Sequence, residues 1–95
     1  MGKILCFIYE DMVDFEMTLA CHLANKEIVP MAYEMKVIKS KSGLLYYPKM
    51  TVKEARNEPD VEGLIIPGGF NNEQREELTE LINNLNNNGK LLAAI

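Results

Sequence analysis

With 95 residues, nearly half of them apolar, the chain suits one small domain, of a size only marginally able to bury enough surface for stability. Its net charge of −4 and its scattered Lys and Arg exclude a basic, phosphate-neutralising surface, so nucleic acid is not an expected partner. No stretch approaches the ~18 apolar residues of a membrane span, KILCFIY is too short and too early for a signal peptide, and Cys6 stands where a myristoylation signal needs Ser or Thr, so no membrane partner is expected either.

The elements follow in chain order. KILCFIY, residues 3 to 9, is a continuous apolar run that suits a parallel strand buried on both faces. EDMVDF makes a turn, and a helix is expected from Phe15 to Asn25 with Asp14 as its N-cap. That helix is apolar nearly all round, through Phe15, Met17, Leu19, Ala20, Cys21, Leu23 and Ala24, so more than one side of it needs a cover. One cover is the sheet, and the other is a second element or a second subunit. YEMKVIKS reads as a strand, SGLLYYPKMTV as a hairpin or two short strands with Gly43 in the preceding turn, and EARNEPD as a polar connection. VEGLII is the next buried strand. Asn71 and Gln74 have capping-box spacing ahead of a helix with Leu78, Leu81, Ile82 and Leu85 at i, i+3, i+4, i+7, which Gly89 ends. The asparagines at 83, 84, 86, 87 and 88 belong to its solvated end, and KLLAAI is the last strand. Alternating strands and helices of this kind predict a layered α/β fold with a parallel sheet, in which ligands bind beyond the carboxyl ends of the strands.

Those ends carry the candidate chemistry. Pro67-Gly68-Gly69 closes the VEGLII strand, where paired glycines permit positive φ and close backbone approach, and the following amides suit an anion at a helix N-terminus. A plain strand-to-helix turn is the competing reading, since no dinucleotide or P-loop fingerprint is present. Glu10 and Asp11 resemble the acidic pair of a phospho-receiver, but no Asp closes a later strand, so a solvated turn is expected. Glu16, in the first turn of an apolar helix, is either a buried, neutral hydrogen-bond donor or an exposed complement to the helix dipole. If buried, desolvation shifts a carboxyl pKa by up to several units and outweighs a dipole effect of at most ~1 kcal/mol. His22, ~120° round the helix from Glu16, cannot simply pair with it and reads as a partly buried structural histidine. Cys6 and Cys21 lie within apolar patterns, not at ligand spacing, and read as buried free thiols of a reducing, cytoplasmic compartment.

The order KILCFIYEDMVDFE, GLIIPGGF, GKLLAAI resembles the ThiJ/PfpI family, which includes parkinsonism-associated deglycase-like proteins and intracellular PfpI proteases within the class I glutamine amidotransferase-like superfamily. The resemblance implies a flavodoxin-like three-layer sandwich with a mostly parallel sheet, of which residues 1 to 95 are the N-terminal portion. It implies that Glu16 hydrogen-bonds a reactive cysteine and that Gly68 and Gly69 supply backbone amides to an oxyanion hole. The nucleophile is expected directly after Ile95, at the end of an AAI-type strand. Neither Cys6, in mid-strand, nor Cys21, well down the first helix, stands in for it.

The complete protein is therefore expected to be a cysteine-dependent enzyme acting on a small carbonyl substrate, by glyoxalase- or deglycase-like chemistry or by amidase- or protease-like hydrolysis. The alternative is a stress-response chaperone or the ligand-sensing domain of a transcription regulator on the same fold. No metal or organic cofactor is implied. The expected partners are the remaining half of the domain and a second copy, with a homodimer contact near Met17, Ala20 and Ala24. Residues 1 to 95 alone are expected neither to fold stably nor to turn over substrate.

Overall fold

A computed structural model describes residues 2–69 and 74–94, with the backbone alone for Leu91 and Ala94. The elements are β1 (Lys3–Phe7), α1 (Phe15–Ala24), β2 (Glu27–Ala32), β3 (Ile38–Lys39), β4 (Leu45–Tyr46), β5 (Met50–Thr51), α2 (Val52–Ala55), β6 (Val61–Ile66), α3 (Glu76–Asn87) and β7 (Leu91–Ala94). The main sheet is parallel, in the order β5-β2-β1-β6-β7, and β3 and β4 form a separate antiparallel hairpin. This is the expected α/β, flavodoxin-like arrangement. The continuous apolar run of β1 follows from its place in mid-sheet: Leu5 and Phe7 are wholly buried, and so are their opposite-face neighbours Cys6 and Ile8.

The chain moves from β1 to β2 in one direction and from β6 to β7 in the other. Right-handed crossovers then put α1 and α3 on opposite faces. Side chains bear this out. Phe7 meets Tyr33, whose ring carries the Arg75 guanidinium at the start of α3, while Cys6, pointing the other way, meets Cys21 of α1.

Three readings need correction. Glu27–Ala32 is a strand that the residue pattern conceals, because Pro30 stands in it. The Pro30 carbonyl accepts from Lys49 at the β5 edge, so the donor Pro30 lacks would point to that same edge, where a ladder of only two residues begins one position later. YEMKVIKS is a strand only at Ile38–Lys39. The polar connection holds a short helix, α2, started by a capping box in which Thr51 and Glu54 bond reciprocally. The cap expected at Asn71 lies outside the described residues; α3 begins at Glu76 after Arg75 and ends in a Schellman turn, with Lys90 N–H on Leu85 O and Gly89 N–H on Asn86 O.

Candidate functional site at the switch between β1 and β6

Strand order reverses between β1 and β6, and the crevice beyond their carboxyl ends is where such sheets bind ligands. Two segments meet there. The loop after β1 runs from Ile8 to Asp14, and the turn after β6 is Pro67-Gly68-Gly69. Val13 N–H donates to Gly68 O at 2.7 Å, Met12 forms an isolated antiparallel bridge with Gly69, and the Tyr9 hydroxyl donates to Pro67 O at 2.8 Å. The bonds from Val13 and Tyr9 are both accepted by carbonyls. Among the described residues, these two bonds fasten the turn without using the Gly68 or Gly69 amide.

Gly69 serves close approach here. Among the described residues the positive-φ glycines are Gly43 and Gly89, so positive φ is not what the Pro67-Gly68-Gly69 turn requires. A Cβ on Gly69 would stand 2.6 Å from the Tyr9 hydroxyl and 3.2 Å from its ring. Tyr9 is buried, stacked on Phe7, and its phenol pKa is raised by that burial, so it cannot move aside cheaply.

Glu10 and Asp11 are exposed, as a solvated turn requires. Asp11 sits at φ 62°, and the loop is held by Asp11 N–H on Lys39 O and by Lys39 N–H on a Glu10 carboxylate oxygen at 3.3 Å. Glu16 is exposed in the first turn of α1. His22 is exposed too, which corrects the partly buried reading. Met17 is buried, with Ala20 and Ala24 packed against the core, so the face expected at a dimer contact is the face on the sheet. The bare side of α1 is instead Phe15, Leu19 and Leu23, at 74%, 49% and 72% exposure.

Asp14 is the residue that sequence reasoning placed correctly and misread. It occupies the N-cap position, but its side chain makes no cap bond. Only 5% exposed, it accepts from Ser42 Oγ at 2.8 and 2.9 Å and from the Tyr46 hydroxyl at 2.7 Å, while Ser42 shares a further bond with Ser40. Burial pushes its carboxyl pKa up. The hydrogen bonds from Tyr46, Ser42 and Ser40 outweigh that and hold it below the usual value. Burial and the bond to Asp14 push the Tyr46 phenol up to about 12. This cluster pins the β3–β4 hairpin over the first turn of α1. Nothing local in the sequence joins position 14 to 42 and 46; only Ser40 and Ser42, just ahead of Gly43 in the turn, hint that polar groups gather there.

Among the described residues no helix is long and apolar enough to cross a membrane. A comparison with curated proteins finds no match. Solved structures match over nearly the whole chain. A DJ-1 superfamily protein from Agrobacterium tumefaciens is 25% identical with a TM-score of 0.83, over 99% of this chain and 53% of that one. Oxidized DJ-1 from Toxoplasma gondii is 22% identical with a TM-score of 0.82, over 99% and 55%. An AraC family transcriptional regulator from Pseudomonas putida is 16% identical with a TM-score of 0.69, over 99% and 64%. The last two show the fold alone. This chain thus spans about half the length of the first of these relatives. The model of the DJ-1/PfpI family matches residues 2–95, and with this fold and this switch-point turn the chain belongs to that family.

Proposed function

We propose that this chain is the first half of a cysteine-dependent enzyme acting on carbonyl compounds, by glyoxalase- or deglycase-like chemistry or by hydrolysis of an amide or peptide. The nucleophile is a cysteine directly after Ile95. Its thiolate attacks the carbonyl carbon, and the C=O electron pair moves onto oxygen. The Gly68 and Gly69 amides hold that oxyanion, and losing one such donor in a comparable site costs roughly 3–4 kcal/mol. Glu16, covered in the complete protein by the rest of the domain, donates a hydrogen bond to the thiolate and orients it.

One observation carries this reading: the bonds from Val13 and Tyr9 lock the glycine turn to the loop that leads into Glu16, at the switch point, through carbonyls alone. Support also comes from family membership and from relatives about twice as long. The test is dicarbonyl and peptide turnover by the complete protein, together with titration of its nucleophilic thiol. Replacing the expected cysteine should abolish turnover, and Glu16→Leu should raise the thiol pKa. An unchanged titration removes the role of Glu16.

The likeness to an AraC family regulator favours a second reading, a ligand-sensing domain. Turnover that survives loss of the cysteine, or a protein that binds a small carbonyl compound without converting it, would select that reading. The bare ridge of Phe15, Leu19 and Leu23 supports a homodimer of the complete protein. Light scattering that gives a monomer at micromolar concentration would overturn it.

A further inference from the structure

The chain's own cysteines are not needed for the chemistry above, yet they meet. Cys6 stands on the face of β1 opposite Leu5 and Phe7, and so points at α1. On α1 the residues turned to the sheet follow helical spacing below the buried Asp14 at its N-cap: Met17 is buried, and Cys21 and Ala24 are partly buried against the core. Cys21 therefore sits two turns below Asp14 on the inward side of α1, packed against the core. The two thiols are near enough that each shifts the ionisation of the other, and both cysteines are free.

The geometry points to Cys6 and Cys21 as a reversible redox pair, a dithiol that closes to a disulfide between β1 and α1 when it meets a peroxide or a low-molecular-weight disulfide.

The two thiols are unequal in the way such a pair needs. Cys6 is 2% exposed, so an oxidant cannot reach it first. Cys21 is half-buried and opens onto a cleft of about 560 Å³ with Gly2, His22, Lys26 and Glu27. The neighbouring Cys6 thiol lowers the Cys21 thiol to about 7, against the opposing effect of burial. The neighbouring Cys21 and burial together raise Cys6. Cys21 is thus the attacking sulfur and Cys6 the resolving one.

With a peroxide, the Cys21 thiolate attacks one oxygen, the O–O bond breaks, and the departing alkoxide or hydroxide takes up a proton. Cys21 becomes a sulfenic acid. Cys6 sulfur then attacks Cys21 sulfur, the S–O bond breaks, and the hydroxide leaves as water with the Cys6 proton. Two thiols lose two electrons and the peroxide gains two. With a disulfide R–S–S–R, Cys21 first expels one R–SH to give a mixed disulfide, and Cys6 expels the second. The product staples the second turn of α1 to the central strand, and so fixes the helix whose first turn carries Glu16.

The test uses the complete natural polypeptide that carries this sequence. It is treated with hydrogen peroxide or glutathione disulfide, alkylated in denaturant and mapped without reduction. Trypsin leaves both cysteines on one peptide, because no Lys or Arg lies between Lys3 and Lys26. The expected result is that this peptide is about 2 Da lighter, unalkylated, and reverts with a reductant. Cleavage at the intervening Asp and Glu residues should leave its two parts still joined. Recovery of both cysteines alkylated overturns the proposal. So does Cys21 held as a stable sulfinic acid or mixed disulfide beside an alkylated Cys6. In Cys6→Ala, glutathione disulfide should arrest at Cys21 as a mixed disulfide. Should that variant not fold, the unmutated protein still decides: at pH 7 Cys21 should carry roughly tenfold more thiolate than an ordinary cysteine and be alkylated well before Cys6. Equal rates, or Cys6 first, would overturn the assignment.

Discussion

α1 and α3 lie on opposite faces of one sheet and are covered to very different degrees. In α3 the stripe Leu78, Leu81, Leu85 is buried, its other face is polar, and a Schellman turn closes it at Gly89. In α1 the buried apolar residue is Met17, while Phe15 and Leu23 are each more than 70% exposed. α3 is complete within these residues. α1 has one side on the sheet and a second apolar side with nothing on it, and each uncovered Leu or Phe forgoes ~1.5–3 kcal/mol of burial. A stripe in a sequence shows where a sheet lies; apolar residues on the remaining side pose the question of a further cover, which substitution can answer.

Substitutions in the complete protein can break or sharpen this contrast, read as unfolding free energies in urea. Leu81→Ala, in the covered stripe of α3, should cost about 2–5 kcal/mol. Leu23→Ala should cost about 1.5–3 kcal/mol there if the bare side of α1 is covered; a loss within about 0.5 kcal/mol would mean that the side stays in water.

Asp14→Ala should cost about 2 kcal/mol, because the Ser42 and Tyr46 hydroxyls lose a charged acceptor. The sign of its pH dependence follows from the lowered carboxyl pKa. The ionised Asp14 stabilises the fold above its unfolded pKa of about 3.9, and that contribution disappears as pH falls through the lower folded value. Unmutated protein should therefore lose more stability than Asp14→Asn in acid, and parallel pH curves would remove the role. The smallest effect is expected at the helix ends. Gly89→Ala, at φ 70° with open space around it, should cost about 1–2 kcal/mol from backbone strain alone. Asn25, left-handed at the end of α1, should tolerate Gly with a gain of about 0.5 kcal/mol.

What the sequence disclosed follows the same division. Local, periodic features were legible: β1, β6 and β7 as apolar runs, α3 from its stripe, Gly43 and Gly89 as turns. β2 was hidden because a proline that is harmless at a two-residue edge ladder reads as a break. α2 was passed over although Thr51 and Glu54 carry its capping box in plain view. At the site, the glycine turn was recognised, but the reason for Gly69 is the Tyr9 ring, a neighbour sixty positions away that no local pattern reveals. The Asp14 cluster, and the meeting of Cys6 with Cys21, are likewise products of tertiary packing.

The most direct measurement is a peptide map, with intact mass, of the natural polypeptide that carries these residues. If this chain is the first half of a DJ-1/PfpI domain whose chemistry begins just past its last strand, the map will show Cys immediately after Ile95 and a further stretch of similar length beyond it. Any other residue at that place, or a polypeptide that stops there, would contradict the proposed chemistry.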